Sequence, residues 1–415
     1  MHNRRLRVLR WVIVASLGVV ALATWGTMRA RGDASERYLF VWAGDQARRS
    51  PDFLAVVDFD AASPGYGHVT TTQPLPEPGA TGNEPHHVGL SKDGRTLALG
   101  GLLSVLKGQP EIFFFDVSTP TAPRFISSAD PPLSSITDEF YALPDGGFLT
   151  TMMGGPMGHH PGRVVEFDRN LRLVAEHPER PPEDGFNPHG ISVRPELNLM
   201  VTSDFICPST TLNAVPGSLD LRGSIRVWEL QPRRIVKTIE IPRAGGTIDV
   251  HLIPGDRHAR AYTAGMLDDK LYLVDSRAGR ATAVFDFATI AAGGWPQLIR
   301  MTADGTRLFI TLNVAGRVAM FDTSDPEHPA LLSVLDLGPD SGPHYLALTR
   351  DEKRLVVSDY FLNEDGFGKV HREGDHLVHV ANVTRYGLTL DPAFYLDFNT
   401  AFPTGPARPH GLAMK

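Results

Sequence analysis

The chain has almost no cysteine. A single residue, Cys207, among 415 excludes an internal disulfide, so burial alone must hold the fold, and a lone buried cysteine reads as a small hydrophobe rather than a reactive thiol. Excess positive charge is also missing: Lys and Arg number 40 against 47 Asp and Glu, for a net charge of −7. Phosphate binding needs a basic face, so nucleic acid is excluded as a partner. Charge runs and low-complexity tracts are absent as well. Only one long apolar run occurs, from Trp11 to Ala23, directly behind Arg4, Arg5, Arg7 and Arg10. That pattern is an export signal, with Ala21-Leu22-Ala23 as a small-x-small cleavage site, or, read through to Met28, an uncleaved membrane tether. Either way the body is expected outside the cytoplasm. Residues 1–30 are thus read as signal peptide or anchor, and residues 37–415 as the folded body.

What the sequence does have is glycine and proline, 40 and 33 residues, in the numbers a turn-dense β protein uses. They punctuate a repeat: a short strand, an Asp-Gly-like turn, a second apolar strand and a third strand ending in Asp. HHVGLSKDGRTLALGG leads to EIFFFDVS, and PQLIRMTADGTRLFITLN leads to RVAMFDTS. The frame recurs six times, and its apolar segments, five to nine residues rich in Val, Ile, Leu, Phe and Thr, follow strand rather than helix grammar. A seventh unit is split. The last residues, PHGLAMK, open a repeat that YLFVWAGD and FLAVVDFD, from Tyr38 and Phe53, complete. The expected fold is all-β: a seven-bladed β-propeller closed by pairing the C-terminal strand with N-terminal strands in one blade, which leaves neither end as an open sheet edge.

In a propeller the first strand of each blade lines the axial channel, so one repeat position forms a ring. Aligned on the turns, that position holds His86, Glu139, His189, Asp249, Gln297, His344 and His410, spaced by 47 to 66 residues. Packing alone would favour small or apolar residues there. Converging neutral imidazoles instead suit a transition metal, copper or zinc, whereas calcium and magnesium prefer oxygen ligands. His87, next to His86, points away from the axis on a regular strand and needs a twist or bulge to join the same ion. Glu139 and Asp249 are candidates for catalytic proton transfer or for pairing with arginines. His159, His160, His251, His258, His371, His376 and His379 lie off the ring position and read as hydrogen-bonded surface or core residues.

The segment from Phe40 to Val69, FVWAGDQARRSPDFLAVVDFDAASPGYGHV, resembles the start of the selenium-binding protein family, which includes methanethiol oxidases. Glu84-Pro85-His86-His87-Val88-Gly89 is similar to the family's Glu-x-His-His-x-Gly element. The blade ending GSIRVWEL and the C-terminal Pro406-Ala407-Arg408-Pro409-His410 are similar too. The resemblance implies a β-propeller and a periplasmic copper enzyme taking a small thiol and O2 as reactants, converting methanethiol, oxygen and water to formaldehyde, hydrogen sulfide and hydrogen peroxide. By motif it extends to His86, His87 and His410; His189 and His344 rest on the repeat. Leu90-Ser91-Lys92-Asp93 stands where vertebrate relatives carry a cysteine pair, so selenium binding through that element does not carry over. The expected metal set is His86, His87, His189, His344 and His410. The competing readings are a non-catalytic propeller binding a metal or a partner, and a metal-dependent hydrolase, which would need more Asp, Glu and Asn around the axis. Arg48, Arg49 and Asp52 follow a second strand and are expected away from the ring, in structural ion pairs.

Overall fold

A computed structural model of the chain describes residues 36–211, 219–359 and 374–415; the expected leader over residues 1–30 and His371 lie outside the described residues. One compact unit runs from Arg37 to Lys415, built of seven antiparallel sheets. Their innermost strands, in chain order, are Pro85–Leu90, Ser135–Ala142, Pro188–Arg194, Thr247–Leu252, Pro296–Met301, Pro343–Leu348 and Ala407–Met414. Each packs on the innermost strands of both neighbours, and the last packs on the first. The sheets are the blades of a seven-bladed β-propeller, numbered here by these strands. Blade 7 runs Ala407–Met414, Tyr38–Asp45, Phe53–Asp58, Val69–Pro74 outward from the axis, so the split repeat closes the ring as the sequence implied. Lys415 clamps the junction: its carbonyl accepts the N–H groups of Arg37 and Tyr38, both at 2.8 Å.

The repeat grammar has local physical causes. Second and third strands such as FLAVV and IFFF are apolar throughout because both of their faces meet neighbouring blades. Outermost strands such as Val69–Pro74 and Arg124–Ala129 alternate between half-buried and exposed positions, the period of a sheet wet on one face. The recurrent Asp at the end of the third strand starts an Asx turn: Asp116 Oδ1 accepts the Ser118 N–H, Asp275 Oδ1 that of Arg277 and Asp322 Oδ1 that of Ser324.

One irregularity recurs in every innermost strand. In blade 1, Pro85 pairs with Gly101 and Val88 with Leu99, so His86 and His87 together oppose a single residue. Asp138-Glu139, His189-Gly190, Ile248-Asp249, Gln297-Leu298 and His410-Gly411 are inserted in the same way. In blade 6, His344 alone is the extra residue. These are β-bulges, which put two consecutive residues against one and re-aim their side chains. Where the second bulge residue meets the next inner strand it is glycine. A Cβ on Gly411 would sit 2.5 Å from the His86 carbonyl oxygen, and one on Gly190 2.8 Å from Asp249 Cα. The two Pro-His-Gly triplets, at residues 188–190 and 409–411, therefore combine an axial imidazole with a close strand contact.

Closure should be an energetic feature of the fold. Leu412, on the closing strand, is 3% exposed within the core cluster that also holds Leu39 and Val41. Leu412→Ala is expected to cost about 2–5 kcal/mol in urea unfolding; a loss below about 1 kcal/mol would show that the closing strand lies outside the cooperative core.

Candidate metal centre

The bulges turn five imidazoles into one buried cluster at one end of the channel. His86, His87, His189, His344 and His410 are each at most 5% exposed. The His86 and His87 rings stack at 4.2 Å with 4° between their planes, so the bulge brings His87 to the axis beside its neighbour. His410 lies 4.4 Å from the His86 ring, and His87 Nε2 is 3.2 Å from His344 Nε2. One ring nitrogen from each of His86, His87, His344 and His410 falls within 4.8 Å of the others, and His86, Asp138 and His189 form a second such group.

Asp138 is the residue that sequence alignment missed. The structure puts Asp138 and Ile248, not Glu139 and Asp249, at the bulge position equivalent to His86. Alignment on the turns cannot resolve a one-residue insertion, and the only available signal was the pair of adjacent acids echoing the pair of adjacent histidines. Asp138 is fully buried and touches three imidazoles: Oδ2 lies 3.1 Å from His189 Nε2 and 3.4 Å from His86 Nε2, and Oδ1 lies 3.0 Å from His87 Nδ1. Burial opposes its charge, yet His189, His87 and His86 hold its carboxyl well below the usual range.

Glu139 reaches the cluster from the second bulge position. Its Oε2 is 2.9 Å from His87 Nδ1, and its Oε1 accepts from Arg300 Nη2 at 3.2 Å. Burial pushes the His87 pKa down, but the two carboxylates overcome that and raise it to about 9. Burial lowers the other four: His189 to about 4, His344 and His410 well below the ordinary value, and His86 in the same direction. Four neutral imidazoles thus face one imidazole tied to carboxylates. Gln297 keeps its ring place and bonds His344 Nδ1 at 2.5 Å.

Asp249 does not join the histidines. Its oxygens accept the N–H groups of Val250 at 2.7 Å and Ile299 at 2.8 Å, and it stands 3.6 Å from Arg300 Nη1. Burial lifts its pKa to about 6. Arg300 also lies over the Tyr345 ring at 5.3 Å, and Tyr345 packs on His87 at 4.9 Å and donates to the Val88 carbonyl. Asp249, Glu139, Arg300 and Tyr345 form a polar layer next to the cluster. On the mouth side, Leu102, Leu103, Ile136, Met153 and Ile206 form an apolar cap, and Phe205 meets the His189 ring edge-on at 5.3 Å.

Arg48 and Asp52 are nearer the ring than their place after a second strand suggested. Arg48 and Arg408 both bind Glu84 Oε2, at 3.0 and 2.7 Å, and Asp52 accepts the backbone and side-chain N–H groups of Asn83 at 2.7 and 3.0 Å. They brace the residues leading into His86 and His410. Arg49 contributes its backbone N–H to Asp45. Off the ring, His376 and His379 pair with Asp359 and Asp375, His251 bonds the Leu252 carbonyl, and His159, His160 and His258 are exposed.

The donor set fits a borderline transition metal: several neutral imidazole nitrogens, one carboxylate and no thiolate. His189 Nδ1 is buried and has no hydrogen-bond partner among the described residues, a cost that metal ligation would relieve. Because Asp138 orients three of the imidazoles, Asp138→Asn is expected to weaken binding of a divalent transition metal by about 10–100-fold in competition titrations. Unchanged affinity would show that Asp138 has no part in holding the ion.

Residues 26–415 match the family described as 56 kDa selenium-binding protein (SBP56). A methanethiol oxidase of Hyphomicrobium sp is 28% identical over 317 residues, 71% of this chain and 69% of that one. Human methanethiol oxidase is 24% identical over 431 residues, 88% of this chain and 89% of its own. The X-ray structure of a hypothetical selenium-binding protein from Sulfolobus tokodaii shares the fold, with a TM-score of 0.77 at 18% identity over 92% of this chain and 94% of that one. The family match covers the whole propeller, and the chain belongs to the 56 kDa selenium-binding protein family.

Proposed function

We propose that the protein is a copper-dependent thiol oxidase acting on methanethiol. The observation that carries this reading is the buried, carboxylate-braced cluster of five imidazoles, and the methanethiol oxidases among its relatives support the choice of substrate. Water, methanethiol and oxygen would yield formaldehyde, hydrogen sulfide and hydrogen peroxide. The carbon loses two electrons as its C–S bond breaks and it takes up the oxygen of water; dioxygen gains those two electrons. The apolar run from Trp11 to Ala23 behind four arginines, the pattern of an export signal, supports placing this activity in the periplasm, either free after cleavage or tethered to the membrane.

His86, His87, His189, His344 and His410 would hold the copper, with Asp138 beside them. Bound copper supplies a redox partner for oxygen and lowers the pKa of a coordinating thiol. The chain does the rest. The apolar cap and Phe205 shield the cluster from bulk water and match the methyl group of the substrate. Glu139 lies against His87 Nδ1, so copper binding would release the proton at Nε2, which faces the cluster, and keep the one at Nδ1; Glu139 is also the carboxylate placed to take the substrate's proton. Arg300 holds Glu139 ionised. Asp249 serves this step only indirectly, by fixing Arg300.

Metal analysis of protein matured with copper, followed by oxygen uptake on methanethiol, tests the reading. Copper near one equivalent per chain with methanethiol-dependent uptake is expected, and Glu139→Gln should lower turnover about 10²–10⁴-fold at unchanged copper content. Copper-loaded protein that consumes no oxygen would leave a metal-binding propeller without this catalysis.

A further inference from the structure

The histidine cluster leaves unused a second group of metal-binding side chains on the same face. In blade 2 the strand Phe148–Gly154 passes the ring, where Thr151 Oγ1 donates to the His189 carbonyl. It continues outward through Met153 in the apolar cap. Beyond it a tight hairpin carries Met157, His159 and His160. Backbone bonds set its shape: the Gly155 N–H reaches the His159 carbonyl at 2.5 Å, the Gly158 N–H the Gly155 carbonyl at 2.9 Å, and the Ser209 N–H the Gly158 carbonyl at 2.9 Å. A Cβ on Gly154 would lie 2.9 Å from Gly158 Cα, so the loop closes this tightly only with glycine at residue 154.

Met157 is 77% exposed, more than any other large hydrophobic among the described residues, although burying it would be favourable. His159 and His160 are exposed beside it, and all three line one shallow pocket with Leu133 and Arg163. None of the three side chains makes a hydrogen bond or ion pair with a described residue. A thioether is a soft donor and an imidazole a borderline one, a combination that selects copper(I) over hard cations and over zinc.

We propose that Met157, His159 and His160 form a copper(I) acquisition site at the mouth, from which the ion passes by Met153 to the histidine cluster. The inference rests on the copper reading above. It assigns the chain a second, weaker site of different chemistry, used for loading and not for turnover.

The test uses copper-free full-length protein, copper(I) supplied as a bicinchoninate complex, and the Met157→Leu/His159→Ala/His160→Ala variant. Wild type is expected to bind a weaker copper(I) equivalent in addition to the cluster's. The variant should lose that equivalent, keep its thermal midpoint, and load the cluster about tenfold more slowly to the same final content. Met157→Leu alone should weaken copper(I) binding at the loop and leave zinc binding untouched. A variant that binds and loads like wild type would overturn the proposal, as would zinc displacing copper(I) from the loop at equal concentration. The two readings fail separately. Loaded protein without methanethiol-dependent oxygen uptake sinks the oxidase, whereas normal loading by the loop variant sinks only the acquisition site.

Discussion

Each innermost strand carries one extra residue at the histidine end of the channel. On a regular strand His86 and His87 would point to opposite sides, and so would Asp138 and Glu139. The insertion lets both members of each pair face the axis. It also draws neighbouring inner strands so close that glycine is required at positions 190 and 411. Everything at the mouth depends on this bulge: the number of imidazoles, their stacking, and the carboxylate among them.

The charge at the centre is arranged around that geometry. Desolvation drives four of the imidazoles toward the neutral form, in which a ring nitrogen offers its lone pair. Asp138 and Glu139 hold the fifth, His87, against the same desolvation. An isolated buried carboxylate would be costly. Here Asp138 lies against three histidines, and Glu139 is shared between His87 and Arg300. The polar layer of Arg300, Asp249 and Tyr345 on one side and the apolar cap on the other give the cluster two unlike borders.

Much of this was legible in the chain because propellers write their architecture locally. Strand grammar, Asx turns and the repeat length are short-range properties, and a repeat that begins at the C-terminus and ends at Asp58 has one simple closure. The four histidines at a common repeat position could be found the same way. Asp138 and the displacement of Asp249 from the ring could not, because a bulge shifts register by one residue; for His87 the sequence named a bulge as the condition for joining the ion, and the structure supplies that bulge. Arg300 and Glu139 are separated by 161 residues, and only the closing of the channel brings them together.

The sequence by itself determined a seven-fold β repeat, its closure through the two termini, and an axial position rich in histidine. Those follow from hydrophobic period and turn chemistry, which act over a few residues. Tertiary structure alone decided that five imidazoles and two carboxylates converge at one end of the channel, which of them stay neutral, and that Arg48, Asp52 and Glu84 brace the approach to the ring. These depend on burial and on distances across the channel, and neither exists until the blades have closed around the axis.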